Sequence, residues 1–374
     1  MSVIVIGTLP SSLINFRGQL LLKLKKESKL VTAIASGATE QEIESLGKLG
    51  CRFVDYPVAR SGLSPIKDII TFSHLVRIFK RLKPSLILAY TIKPIIWGGI
   101  ASRFLPSTSF YALVTGLGYA FQPGGRTKSL LIWVVRNLYK LALENSKAVI
   151  FQNPDNMNIF IQQGIVPKNK CYLVNGSGVD LSLFESEPLT ARPSFLLIAR
   201  LLGDKGIREY AKAAEIVKSQ YPHALFSLVG PEDPSPDRID INEIHQLHES
   251  GVLTYHGATN DVRPFIKESS VFVLPSYHEG MPRTVLEAMA MGRPILTTNV
   301  PGCRETVVNG ENGWLVEKAN VEQLAERMIW FIENQEQWSV MGNKSHAMAN
   351  EKFDVHKVNA EILKIMGLSD EKTV

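Results

Sequence analysis

Residues Val271–Val308 read VFVLPSYHEGMPRTVLEAMAMGRPILTTNVPGCRETVV. The run VFVL is apolar and β-branched, and Pro275 stops it, which suits a strand buried on both faces of a parallel sheet. A loop follows. Pro282 suits the first turn of a helix, where its missing N–H costs nothing, and TVLEAMAM continues with strong helix formers until Gly292 and Pro294. RPILTT is then the next strand. Strand, glycine loop, helix N-terminus and strand make the half-unit with which open α/β sheets hold phosphates at their carboxyl edge, and the N–H groups of residues 281–284 would point at an anion. Glu279 stands in the loop, and Glu287 about one and a half turns into the helix. Carboxylates accept hydrogen bonds and do not donate them, so the pair suits a ligand that joins phosphates to hydroxyl-rich ends, a nucleotide-diphosphate sugar. The plain alternative makes both carboxylates ordinary surface charges.

Outward from this stretch the same alternation repeats. VIVIG, a helix over Leu13–Lys26, LVTAIAS, a helix over Glu40–Lys48, CRFVDYPV, a helix over Pro65–Leu82, LILAY, a segment over Pro94–Phe104, FYALVT, a helix over Thr127–Asn145 and KAVIFQN fill the first half. After a linker at Pro188–Pro193 come SFLLIAR, a helix near Gly206–Ser219, ALFSLVG, a Pro/Asp-rich loop and VLTYHG. Successive βα units predict parallel sheets. The chain therefore reads as α/β, two Rossmann-like doubly wound domains facing across a cleft, divided at 187/188. A length of 374 residues is enough for two cores.

Composition narrows the function. The most apolar run, Ser85–Ala101, is interrupted by Lys93 and Pro94, so no membrane span is expected. MSVIVIG enters a strand directly, without the basic start of a secretory signal. Cys51, Cys171 and Cys303 are far apart and in no ligand spacing, which predicts reduced thiols, a cytoplasmic protein and no metal. The net charge of +5 favours anionic partners. Nucleic acid is disfavoured, because the Lys and Arg residues are dispersed and form no aromatic-interleaved stripe.

Arg200 ends the strand SFLLIAR and Lys205 opens the next helix, so both cations belong to the ligand-binding sheet edge. There they would stabilise negative charge growing on a leaving phosphate. Gly230 and Pro231, and His256, follow strands at the same edge. In the first half, GTLPSSLINFRG lacks the three-glycine spacing of a dinucleotide fingerprint, which argues against an oxidoreductase. Phe16, Arg17 and Gly18 in that segment are acceptor-side candidates; the alternative is a core Phe16 and a solvated Arg17. The glycine-rich TGLGYAFQPGGR, Thr115–Arg126, allows close backbone approach. The helix KSLLIWVVRNLYKLAL gathers Lys128, Arg136 and Lys140 in one half of its wheel, as a membrane-surface helix does, while its apolar bulk equally suits a core helix.

The stretch VFVLPSYHEGMPRTVLEAMAMGRPILTT with PGCRETVVNGENGWLV, and its two glutamates with seven residues between them, resembles the signature of GT-B glycosyltransferases of the retaining family 4. The resemblance implies a UDP-sugar donor and no metal or other cofactor. It implies Arg200 and Lys205 on the donor diphosphate, Glu279 positioning the donor sugar, Glu287 on the ribose, and Gly230, Pro231, His256, Gly280, Met281, Pro282 and Arg283 lining the nucleotide. It also implies a final helix, within 354–374, crossing back onto the first domain. Many members carry a histidine near the start of the glycine-rich segment; here Thr115 and Gly116 stand there, which leaves the departing phosphate to take the acceptor proton. TIKPIIWGG and TGLGYAF resemble a narrower set of bacterial enzymes that add an N-acetylhexosamine to a sugar on undecaprenyl diphosphate. That implies a polyprenyl-diphosphate-linked glycan acceptor on the cytoplasmic face, peripheral membrane contact, and Lys93, Arg103, Arg126, Lys128, Arg136 and Lys140 near the headgroups. A sugar-nucleotide epimerase and a non-catalytic sugar-nucleotide-binding partner are the competing readings.

Overall fold

The computed structural model describes residues 1–28, 30–59, 64–117, 126–235 and 237–368, with the side chains of 126–129 left aside. The chain divides into two compact units, Met1–Ser177 with His356–Val374, and Gly178–Val355.

In the first unit, β1 (Ser2–Ile6), β2 (Leu30–Ala35), β3 (Arg52–Asp55), β4 (Leu86–Tyr90), β5 (Ser109–Val114), β6 (Ala148–Phe151) and β7 (Cys171–Leu173) form one sheet in the order β3-β2-β1-β4-β5-β6-β7. Every pairing is parallel. The strands are apolar throughout because both faces are covered, and successive residues serve opposite cores. Val3 and Val5 of β1 pack under α1 (Pro10–Glu27) and α2 (Glu40–Lys48) together with the last helix of the chain, Val355–Ile365. Ile4 and Ile6 pack under α3 (Pro65–Leu82), α4 (Ile92–Ser102), α5 (Arg126–Leu143) and α6 (Pro154–Gln162). The last helix buries Val358, Ile362 and Leu363 in the first core. Its start is fixed by Lys23 Nζ, which donates to the His356 carbonyl at 2.6 Å, and its end by Tyr111, whose hydroxyl donates to the Met366 carbonyl at 3.2 Å.

The second unit holds β8 (Ser194–Ile198), β9 (Leu225–Val229), β10 (Thr254–Tyr255), β11 (Val271–Leu274), β12 (Ile295–Thr298) and β13 (Gly313–Val316), all parallel, in the order β10-β9-β8-β11-β12-β13. Helices α7 (Ile207–Gln220), α8 (Ile241–Glu249), α9 (Arg263–Lys267), α10 (Arg283–Ala290), α11 (Val321–Glu333) and α12 (Glu336–Lys352) cover it, and α13 is Val355–Ile365.

The unit boundary falls ten residues earlier than the expected 187/188. Residues 178–187 are tied to the second unit: the Val179 N–H donates to the Phe353 carbonyl at 2.8 Å, the Val355 N–H donates to the Val179 carbonyl at 3.0 Å, and Phe184 is buried in the second core. Nor is Pro188–Pro193 a free linker at its start. Arg293, fully buried, donates to the carbonyls of Glu187 at 2.6 Å and Pro188 at 3.1 Å. Its burial holds its pKa down at about 10 despite the nearby Glu187.

Candidate active site of the second unit

Strand order reverses between β8 and β11, and the loops leaving these two neighbours bring the candidate residues together. Such a switch point opens a crevice at the carboxyl edge, where side chains from both loops converge. Lys205 Nζ donates to Glu279 Oε1 at 2.6 Å, joining the β8 loop to the β11 loop. The two side chains are only 13% and 16% exposed. Ser276, fully buried, donates from Oγ to the same Glu279 oxygen at 2.8 Å, and its own carbonyl accepts from the Thr298 hydroxyl. Burial pulls the Lys205 pKa down, but the carboxylates of Glu279 and Asp204 more than offset this, so it stands above the ordinary lysine value. Lys205 is a fixed cation at neutral pH.

Two glycines permit this approach of loops. Gly206 has φ +71°, and a Cβ there would lie 2.1 Å from the Pro275 carbonyl oxygen. Gly302 has φ +85°, and its Cβ would lie 2.6 Å from the Glu279 carbonyl oxygen. Both are left-handed positions against backbone, where a side chain has neither conformation nor space. The Glu279 N–H donates to the Pro301 carbonyl at 3.1 Å, so the glutamate loop is seated on the loop after β12.

Arg200 follows β8 and forms an ion pair with Asp233 from the loop after β9. The Asp233 side chain is 1% exposed and that of Arg200 45%, so the carboxylate anchors a guanidinium that still reaches solvent. Burial alone would raise the Asp233 pKa; the Ser235 hydroxyl and Arg200 outweigh it and hold the group at about 2. Sequence reading missed Asp233 and Ser276. Their signals were position alone, Asp233 three residues past Gly230 and Ser276 three before Glu279.

Pro282 caps α10 rather than entering its first turn: the helix starts at Arg283, and the N–H groups of Val285 and Leu286 donate to the Pro282 carbonyl at 3.1 and 3.3 Å. Arg283 Nε donates to Glu287 Oε1 at 2.8 Å, one turn apart. Glu287 is buried, not a solvated helix charge, and burial raises its pKa against the opposing pull of Arg283. Met281 is buried and Gly280 half-buried beside it. His256 follows β10, its Nε2 3.2 Å from Ser227 Oγ and its ring 5.0 Å from that of Phe265; burial lowers its pKa, so it is neutral at pH 7. Cys303 lies beneath the site, its thiol pushed up to about 12 by burial and by Glu279, which removes it as a nucleophile.

The first unit has its own switch point, between β1 and β4, where Thr8 and Thr91 hydroxyls meet at 2.8 Å. Of the acceptor-side candidates, Phe16 is 45% exposed and Arg17 3%, the reverse of the plain alternative. Helix α1 buries Leu13, Arg17, Leu20, Leu21 and Leu24, one face at helical spacing, and the Arg17 guanidinium lies 5.3 Å from the Tyr90 ring centroid. Gly18 is half-buried on the same helix, and Lys93 pairs with Asp68 at 2.9 Å. Thr115 and Gly116 are half-buried just past β5. Arg103 pairs with Glu144 at 2.7 Å, and Arg136 and Lys140 are exposed. The side chains of Arg126 and Lys128 and most of the glycine-rich segment lie outside the described residues.

Such a pair of switch-point units defines a class of fold, and comparison with known proteins agrees. The structure of Anabaena HepE in complex with UDP superposes with a TM-score of 0.79 over 98% of this chain and 100% of that one at 17% identity, and that of sucrose-phosphate synthase from Thermosynechococcus elongatus with 0.79 over 98% of each chain at 20%. Residues 182–348 match the family model "Glycosyl transferases group 1" and residues 16–153 the model "Glycosyl transferase 4-like". The chain is a glycosyltransferase of GT-B fold, with its second unit matching the group 1 model. Among its relatives, the N,N'-diacetylbacillosaminyl-diphospho-undecaprenol alpha-1,3-N-acetylgalactosaminyltransferase of Campylobacter jejuni is 29% identical over 87% of this chain and 88% of its own length. The UDP-Gal:alpha-D-GlcNAc-diphosphoundecaprenol alpha-1,3-galactosyltransferase of Escherichia coli is 26% identical over 73% of each.

Proposed function

We propose that this enzyme moves an N-acetylhexosamine from a UDP-sugar, with retention of configuration and without a metal ion, to a saccharide carried on undecaprenyl diphosphate. The observation that carries the reading is the Lys205–Glu279 pair beside the Asp233-anchored Arg200 at one switch point. Two cations would take up the charge that develops on the departing diphosphate, an effect worth several kcal/mol in a water-poor site. Glu279, already oriented by Ser276, would accept hydrogen bonds from the donor sugar, and Glu287 from the ribose diol. Departing phosphate oxygen, rather than a protein base, would take the acceptor hydroxyl proton. The acceptor class is supported by the named activities of the Campylobacter jejuni and Escherichia coli relatives.

The test is a melting-temperature panel of UDP, GDP and ADP with their common sugars, followed by transfer assays with the stabilising donor. A ligand that binds only the folded protein raises the midpoint according to its affinity. Selective stabilisation by UDP and one UDP-N-acetylhexosamine, with transfer to an undecaprenyl-diphosphate-linked sugar, is the expected result. Stabilisation by GDP or ADP compounds alone overturns the donor, and conversion of the UDP-sugar without any acceptor would make the protein an epimerase.

A further inference from the structure

Basic residues are dispersed along the chain, but acidic ones are not. Residues 64–143 contain eleven Lys and Arg and a single acid, Asp68, a net charge of +10, so the remainder of the chain carries −5. That one acid is buried and paired with Lys93. These 80 residues supply α3, α4 and α5, and α4 packs between the other two on one face of the first unit's sheet. The layer is anchored inward by Leu75, Phe79, Ile95, Val135 and Tyr139.

Its outer side is not uniformly polar. Ile66, Ile69 and Ile70 are 74%, 62% and 43% exposed, and Leu130 and Trp133 are 65% and 57% exposed. All five lie within the first eight residues, the opening turns, of α3 or α5. In a parallel βαβ unit those turns stand at the carboxyl edge of the sheet, the edge that also holds Thr8, Thr91 and Lys93. Arg77 and Lys80 follow on the exposed side of α3, and Arg136 and Lys140 on that of α5. A polyanion such as nucleic acid needs the cations but gains nothing from five bare apolar side chains. A bilayer surface uses both, the apolar groups entering the acyl boundary and the cations meeting anionic headgroups.

We propose that the α3–α4–α5 face of the first unit seats on an anionic lipid bilayer, with Ile66, Ile69, Ile70, Leu130 and Trp133 as the inserted groups. The inference deepens the proposed function and rests on it, since a polyprenyl-linked acceptor is confined to a membrane.

The experiment floats the full-length protein with phosphatidylcholine vesicles containing about 30% phosphatidylglycerol and with pure phosphatidylcholine vesicles. The wild type should bind the anionic vesicles selectively and be released by about 0.5 M salt. Ile66→Ser/Ile69→Ser/Trp133→Ser and, separately, Lys80→Glu/Arg136→Glu should each weaken binding at least about tenfold while keeping the UDP-induced rise in melting temperature, which shows the fold intact. No flotation of the wild type, equal flotation of all three proteins, or capture by heparin without capture by vesicles would overturn the proposal. Transfer separates this from the proposed function. The apolar variant should lose activity on a vesicle-embedded acceptor and keep it on a water-soluble short-chain one. If it matches the wild type on both, the surface is wrong; if the wild type floats but transfers to neither acceptor, the proposed function alone is wrong.

Discussion

Replacing Lys205 by Met removes one cation and keeps most of the side-chain volume, which separates the two roles the geometry gives this residue. Lys205 holds Glu279 at 2.6 Å, and it faces the position proposed for the donor diphosphate. A hydrogen bond to a charged group is worth about 1.5–3 kcal/mol, so losing a direct phosphate contact should raise the Kd for UDP roughly 10- to 150-fold. Turnover should fall further, by about 10²–10³, because the cation also stabilises charge that exists only as the bond breaks. UDP lacks the donor sugar that Glu279 is proposed to hold, so Glu279→Gln should leave its Kd within about threefold while transfer collapses. The decisive comparison is Lys205→Met in the Glu279→Gln background, measured by titration calorimetry with UDP. A direct contact predicts the full loss of affinity there; a lysine that serves only to hold Glu279 predicts no further loss. A UDP Kd unchanged to within about twofold in both backgrounds would refute the assignment of Lys205 to the diphosphate.

Two further outcomes follow from the same site. Asp233 has a folded-state pKa near 2 against an ordinary 3.8, so its contribution to stability is present above 3.8 and lost as the pH falls through 2; Asp233→Asn should remove about 2 kcal/mol of acid dependence from urea midpoints in that window, and an unaltered profile would contradict the buried pairing with Arg200. Gly302→Ala would place a Cβ 2.6 Å from the Glu279 carbonyl oxygen at φ +85°, so thermal unfolding should show a loss of roughly 1–3 kcal/mol together with weaker donor binding, whereas wild-type stability would show that the loop does not press there.

What the sequence made legible was whatever local pattern governs. VFVLPS and RPILTT announce buried parallel strands by their own composition, and their order fixes Glu279 and the neighbourhood of Arg200 at one sheet edge. Residues whose role depends on distant partners stayed hidden. Asp233 looked like any acid in a Pro/Asp-rich loop until β9 set it against Arg200, 33 residues away. Phe16 and Arg17 stand the opposite way from the plain alternative of a core Phe16 and a solvated Arg17, because the burial of Leu13, Leu20, Leu21 and Leu24 fixes the roll of α1, and that stripe carries Arg17 inward. The division at Ser177 was equally unreadable, since Val179 and Glu187 become second-unit residues only when Phe353 and Met291 return to meet them.

The return of the chain to its first unit has a consequence in time. The last helix and the residue that follows it supply Val358, Ile362, Leu363 and Met366 to a core whose other buried members were synthesised before residue 178. With 178 residues of the second unit intervening and synthesis at about 5–20 residues per second, the first unit waits roughly 10–40 s without the last helix's share of this core, while the contiguous second unit has every segment it needs. On the ribosome, then, the half of the protein made first is the half finished last, and a stop codon at position 356 would keep the whole second unit with its Lys205–Glu279 pair yet leave the first unit open.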